Sequence, residues 1–257
     1  FKFLTNNSFE YIFFESSSSS LDSDKDIIFK IKEIQPETKL VISGPVGNPE
    51  KLINSLPIHA ILKGEYEKLA VKVISDEQSG ILDYDFLTLE EMNKAPFPYN
   101  DKIYAHRYWD GIPMDYFPPQ AQVLSNRGCP YKCIFCVWPA VMTGNDPKGE
   151  SYRQVRQYSK DYMEALLDEW VFKYNYNSVY FDDDTFNLGD KHTLEMCEVM
   201  RKINIPWSAM CRADTIKKDT WKVMKESGCV GVKIGFESGN QFVIDNIVNK
   251  ALDLEKA

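Results

Sequence analysis

"RGCPYKCIFCVWP", residues 127–139, places Cys129, Cys133 and Cys136 within eight positions. Gaps of four and three let the sulfurs of one short loop point toward a common centre. Disulfide pairing leaves one thiol over, and a tetrahedral zinc site wants four ligands, usually as two close pairs. Three thiolates can satisfy three irons of a cubane iron–sulfur cluster and leave the fourth with an open coordination position, whereas electron-transfer clusters use four cysteines. Spacing alone leaves two other readings open: a zinc site completed by a distant His or Cys, and a set of unrelated thiols.

The chain has 257 residues, 44% hydrophobic and 26% charged, an ordinary globular balance with room for one large domain or two small ones. No apolar run approaches the roughly 20 residues of a membrane span. The start, "FKFLTNNSFEYIFFESS", has neither an initiator Met nor a signal-peptide layout. Six cysteines, three of them clustered, do not make a secreted disulfide framework, so reduced thiols in a cytoplasmic protein are expected. With 38 acidic against 30 basic side chains the formal net charge is −8, and an overall basic footprint for nucleic acid is missing. One local exception, "KGESYRQVRQYSK", carries Lys148, Arg153, Arg156 and Lys160. It reads either as a solvated loop entering a helix or as an anion-binding rim beside the cysteines.

Upstream, "YIFFE" (11–15), "KLVISG" (39–44) and "HAILKG" (59–64) are short apolar runs that read as buried strands. Ile27, Ile28, Ile31 and Ile34 share a helical face that Pro36 ends, and Tyr66, Leu69, Ala70 and Val73 share another. Strands alternating with helices mean a parallel α/β sheet. Residues 75–119 are rich in Pro and aromatics and read as a connecting segment. From residue 120 the alternation resumes. "AQVLS", "SVYFDDD", "WSAMCR" and "VGVKIGFE" are strands, and between them lie helices led by "KDYMEALLDEWVFKYN", with Ser159 as N-cap. Gly228 falls where a helix C-cap belongs. About four such units are visible, too few to close an eight-unit barrel of about 250 residues. Both domains therefore read as cut, the first at its front and the second at its back. Cys197, Cys211 and Cys229 read as core thiols, His59 as a strand residue and His192 as exposed on a helix; neither these nor His106 shows a catalytic partner.

A Cys-x-x-x-Cys-x-x-Cys loop that follows the strand opening a β/α repeat resembles the radical S-adenosylmethionine superfamily, and the resemblance runs over residues 120–257. It implies that Cys129, Cys133 and Cys136 hold a 4Fe–4S cluster and that Phe135 lies beside the adenine of S-adenosylmethionine. Asp182, Asp183 and Asp184 would face the methionine amine, and Arg212 the ribose and carboxylate. Ile234 and Gly235 would lie near adenine, with Glu237 toward the ribose. Residue types alone agree in part. Three adjacent carboxylates repel and call for a cation nearby, although a solvated loop or a helix cap would also account for them. Glu237 could equally be a charge at a helix N-terminus.

Residues 1–74 resemble part of the Rossmann-like cobalamin-binding domain that precedes many such modules. "FFESSSSSLDSD", "KLVISGPVGNPE" and "ILKGEYEKL" carry this likeness, and "APFPY" resembles the linker. It implies Ser19, Leu21 and Gly44 at the nucleotide-tail pocket. The Asp-x-His-x-x-Gly motif that supplies a lower cobalt ligand is absent; "DKHTLE" (190–195) lacks the Gly and belongs to the second module.

The expected fold is thus α/β, with a partial cobalamin-binding domain (1–74), a linker (75–119) and a partial radical barrel (120–257). The expected activity is reductive cleavage of S-adenosylmethionine to a 5′-deoxyadenosyl radical, with cobalamin-dependent methyl transfer or rearrangement on an unknown small molecule. A one-electron reductant such as flavodoxin or ferredoxin is the implied partner. Two alternatives stand beside it. Radical methylthiotransferases acting on transfer RNA carry further cysteines in their front domain, yet residues 1–128 here hold none. A non-catalytic electron-transfer module would favour four grouped cysteines.

Overall fold

The computed structural model of the chain describes residues 1–98, 118–137 and 155–257. These form two compact units, one holding Phe1–Leu87 with Val137 and the other the remaining described residues.

In the first unit the strands β1 (Tyr11–Glu15), β2 (Lys39–Ser43), β3 (Ala60–Leu62) and β4 (Gly80–Leu82) make a parallel sheet in chain order. Successive strand residues point to opposite faces, and both faces here are apolar. Leu40, Ile42 and Ile61 pack with Ile28, Ile31, Leu52 and Leu56, which come from α1 (Leu21–Ile34), α2 (Pro49–Ser55) and the turn after it. Val41, Ala60, Leu62 and Leu82 pack on the other face with Leu69 and Val73 of α3 (Glu67–Ser75). Two expected core positions are exposed instead. Ile27 sits beside the Ile28/Ile31 stripe and turns outward, and Tyr66 precedes the first turn of α3. The sheet also extends past residue 74, because Gly80–Leu82 pairs with β3.

The second unit is built on β5 (Gln120–Val123), β6 (Ser178–Phe181), β7 (Trp207–Cys211) and β8 (Cys229–Ile234), parallel neighbours in chain order. Among the described residues three helices intervene: α4 (Lys160–Asp168), α5 (Asp190–Ile203) and α6 (Lys218–Glu226). Ser159 caps α4, its Oγ accepting the Tyr162 N–H at 3.2 Å. A π-helical turn, Glu169–Lys173, follows; Val171 continues the buried stripe of Met163 and Leu167, while Trp170 and Tyr174 are half-buried at its edge. Gly228, at φ 93°, ends α6 in the left-handed region as expected. A short antiparallel ribbon of Asn126–Arg127 with Arg156–Gln157 flanks the sheet. Lys148 and Arg153 of the basic run, with His106, lie outside the described residues. Arg156 is buried, and Lys160 pairs with Glu198, so these two do not form a free cationic rim.

The core of this unit is aromatic. Phe181, Phe186 and Trp207 are fully buried, with ring centroids 4.8–5.5 Å apart, and Trp207 Nε1 donates to the Ser227 carbonyl at 3.0 Å. Phe186 belongs to the turn after β6, not to a strand. Its N–H donates to the Met210 carbonyl at 2.8 Å, so the ring anchors the acidic turn Asp182–Thr185 to the core. Phe186→Ala is expected to lower stability by about 3–5 kcal/mol, read from urea denaturation. A loss below about 1 kcal/mol would show that the turn does not depend on this anchor.

A candidate cofactor site at the strand ends

The C-terminal ends of β5 to β8 carry the residues singled out from the sequence, which is where β/α folds build their sites. The end of β5 is joined to that of β6 by one buried carboxylate. Asp183 accepts the backbone N–H groups of Ser125 and Asn126, each at 2.7 Å, and the Ser125 hydroxyl at 3.0 Å. His192 Nε2 lies 3.0 Å from Ser125 Oγ. This histidine is buried, not exposed on its helix: it shares the inward stripe of Met196, Val199 and Ile203. Burial pushes the Asp183 carboxyl up to about 7 against the lowering pull of its hydrogen bonds, and holds His192 down at about 4.

The neighbouring acids are less enclosed. Asp184 is raised to about 6 by burial and by the charge of Asp182, with the Gly128 N–H opposing the shift. Asp182 accepts from Gln122 Nε2 at 2.8 Å. Thr185 Oγ1 donates to the Asp184 carbonyl and lies 3.6 Å from Cys129 Sγ, so the acidic turn touches the cysteine loop. Cys129, Cys133 and Cys136 are half-buried and in no disulfide, and the Cys136 N–H donates to the Cys133 carbonyl at 3.1 Å. Burial pushes the Cys129 thiol up. In kind and number these donors fit a three-thiolate cluster. The sulfurs are apart, however: among the described residues no three His, Cys, Asp or Glu side chains gather closely enough to hold a metal ion. Phe135 stands out from the loop, 60% exposed. An open cleft of about 490 Å³ is lined by Tyr131 of the loop with Gln157, Leu188, Asp214 and Thr215.

A family model described as the radical SAM superfamily matches residues 123–257, more than half of the chain. The chain belongs to the radical S-adenosylmethionine superfamily. It is 29% identical over 257 residues to an uncharacterized methyltransferase of Pyrococcus horikoshii, covering 90% of this chain and 52% of that one. It is 26% identical over 218 residues to the bacteriochlorophyllide d C-12(1)-methyltransferase of Chlorobaculum tepidum, covering 81% and 44%. This chain thus spans about half the length of these relatives. Among solved structures it is similar to the radical S-adenosylmethionine methyltransferase TsrM of Kitasatospora setae, a structure with cobalamin and a 4Fe–4S cluster bound. That match has a TM-score of 0.66 and 14% identity, covering 95% of this chain and 52% of that one. The likeness establishes the α/β fold, and the family match places the radical SAM module on its second sheet.

Within this radical SAM fold two singled-out side chains are engaged with the protein itself. Arg212 is buried. It holds Asp214 through Nε and Nη2, both at 3.0 Å, and donates to the carbonyls of Lys250 and Ala251, both at 3.1 Å. Its guanidinium carbon lies 3.5 Å from the centroid of the Tyr131 ring. Glu237, in the left-handed region at φ 64°, meets Lys250 Nζ at 3.1 Å. A Cβ at Gly235 would come within 2.6 Å of Glu237 Oε1, so a larger residue there would displace that carboxylate. Ile234 ends β8 directly before it. Sequence reasoning missed Ser125, Phe186, Lys250 and the role of His192. Of these only His192 left a signal, its spacing of four and seven to Met196 and Val199.

In the first unit the serine-rich loop is closed on itself. Ser16 and Ser20 hydroxyls donate to Asp24 at 2.5 and 2.7 Å, and Ser18 Oγ accepts the Gly47 N–H at 3.0 Å. Gly44 lies at φ 100°, and a Cβ there would sit 2.4 Å from the Ser16 carbonyl oxygen, so its bareness lets the two strand-end loops meet. Leu21 packs on the core, while Ser19 is exposed with its hydroxyl 2.8 Å from that of Ser17.

A free aspartate titrates near 4, whereas Asp183 in the fold does so at about 7. The site therefore favours the neutral acid, and its contribution is full below about pH 4 and lost as pH rises through about 7. Asp183→Asn, neutral throughout, should gain on the native chain between about pH 4.5 and pH 8 in urea midpoints. A difference that does not change with pH would overturn the assignment.

Proposed function

We propose that this chain carries the cofactor-binding core of a cobalamin-dependent radical S-adenosylmethionine methyltransferase acting on a small molecule. The observation that carries the reading is the contact of the three-cysteine loop, through Cys129, with the Asp182–Thr185 turn at the strand ends, within a chain of this superfamily. The methyltransferase names of its relatives support the reaction class, and tryptophan bound in a TsrM structure supports the substrate class. The first unit, Phe1–Leu87, forms the cobalamin-facing domain, and residues 120–257 form the radical module, with the stretch between them as linker. When bound, the cluster supplies the electron that splits the carbon–sulfur bond of S-adenosylmethionine, and cobalamin supplies the methyl carrier.

The protein's own residues hold and orient. Cys129, Cys133 and Cys136 are the cluster ligands. Asp182 and Asp184, the less enclosed acids, face the methionine amine, and Asp183 keeps the β5 end in place beneath them. Phe135, Ile234 and Gly235 border the adenine. Glu237 takes the ribose hydroxyls, oriented by Lys250. In the first unit Ser19, Leu21 and Gly44 mark the edge for the cobalamin nucleotide tail, at the strand ends where open α/β sheets bind ligands. His59, the one described histidine of that unit, sits ahead of β3 at the opposite edge, which supports cobalt without a protein His ligand. No helix among the described residues is long and apolar enough to cross a membrane. The cytoplasm, with flavodoxin or ferredoxin as reductant, is the setting this chemistry needs.

Anaerobically reconstituted full-length protein should hold about four irons and four sulfides, and Cys129→Ala, Cys133→Ala or Cys136→Ala should abolish them. Reduced and given S-adenosylmethionine with a labelled methyl group, it should release products of its cleavage, read by mass spectrometry. Bound cob(II)alamin should show a paramagnetic resonance spectrum without nitrogen superhyperfine splitting. Stoichiometric zinc with no iron would sink the radical reading. Cleavage without any cobalamin uptake would sink the methyl-transfer reading.

A further inference from the structure

Four consecutive residues, Val248 to Ala251, meet three separate parts of the strand-end site. The Val248 carbonyl accepts the Ile134 N–H at 3.0 Å, and the Asn249 side-chain amide donates to the Lys132 carbonyl at 3.2 Å. Both bonds grip the cysteine loop between its first and last thiol. The Lys250 and Ala251 carbonyls take the Arg212 guanidinium, whose face covers Tyr131, a third residue of the same loop. Lys250 Nζ reaches Glu237 at the end of β8.

The backbone of this segment is held in an uncommon shape. Asn249 and Ala251 lie at φ 54° and 52°, left-handed conformations that Asn tolerates and that are costly for Ala, so surrounding bonds must maintain them. The left-handed residues end the helical turn Ile244–Val248 and turn its carbonyls toward the loop and Arg212. The grip falls on backbone and on Tyr131, not on the sulfurs, which stay apart while the chain between them is pinned.

We propose that Val248–Ala251 is a clasp that fixes the cysteine loop and sets it against Glu237, with Asn249 and Arg212 as its positioning residues. Its effect on a cluster rests on the function proposed above; its grip on the loop does not. Two variants test it. Asn249→Gly keeps the left-handed backbone and deletes the amide. Asn249→Asp keeps the size and left-handed tolerance but sets a carboxylate oxygen against the Lys132 carbonyl.

Hydrogen exchange of the full-length protein is the first readout. The Ile134 amide should exchange about fivefold faster in the Gly variant, the equivalent of losing one ordinary hydrogen bond, and faster still in the Asp variant. The Val179 amide, bonded to the Pro206 carbonyl at 3.0 Å within the sheet, should keep its native rate. Paramagnetic resonance of the reduced, iron-loaded protein is the second: one species in the native protein, a mixture in both variants at equal iron content. Native exchange at Ile134 in both variants overturns the clasp, and so does an acceleration shared equally by Val179. An unchanged spectrum overturns its effect on the cluster. A native protein that takes up no iron defeats the proposed function instead, and the exchange result still decides the clasp.

Discussion

The carboxylate of Asp183 takes two backbone N–H groups, from Ser125 and Asn126, and the strand-end site depends on that union. Those amides lie just past the end of β5, where the chain leaves the sheet for the cysteine loop. Without a partner from β6 they would be buried donors with nothing to bond, at a cost of about 1–3 kcal/mol each. The acceptor is itself desolvated, so it tolerates burial only while the donors and the Ser125 hydroxyl are present. Each side of the contact is costly alone, which ties the start of the loop to the acidic turn. His192, held neutral by burial, completes the set from the helix behind.

Around that fixed point the site divides into an anchored side and an open side. Phe186 holds the acidic turn from below through apolar contact, while Asp183 holds the loop start through hydrogen bonds. On the far side Arg212 spends its donors on Asp214 and two carbonyls and lays its face on Tyr131. A buried guanidinium with a bidentate carboxylate and an aromatic cover is well compensated. The side chains left partly exposed between these anchors are the thiols, Phe135, Asp182 and Asp184. Rigid backbone beneath less constrained donors is what a cofactor site requires.

Much of this organisation is legible in the chain itself. The unbroken apolar runs in "KLVIS" and "AIL" mark strands buried on both faces, and Leu40 and Ile42 pack on one side of the sheet while Val41 packs on the other. Gly44 and Gly228 stand where backbone shape disfavours a Cβ, and at Gly44 the Ser16 carbonyl also excludes it. The three cysteines define their loop by spacing, and the alternation of strands and helices puts that loop at a strand end. His192 could have been assigned to the inward face by its spacing to Met196 and Val199.

The remaining partnerships were settled only by tertiary structure. Nothing near Asn249 in the chain points to Lys132, 117 positions away, and nothing near Arg212 points to Tyr131. Of three adjacent aspartates only the middle one turns inward, because successive residues leaving a strand face opposite ways and β5 presents its free amides on one side. Sequence determined which residue types stand at the strand ends. Only the fold decided which of them remain partly exposed for a cofactor and which are consumed in holding the others, since that depends on distances between segments far apart in the chain.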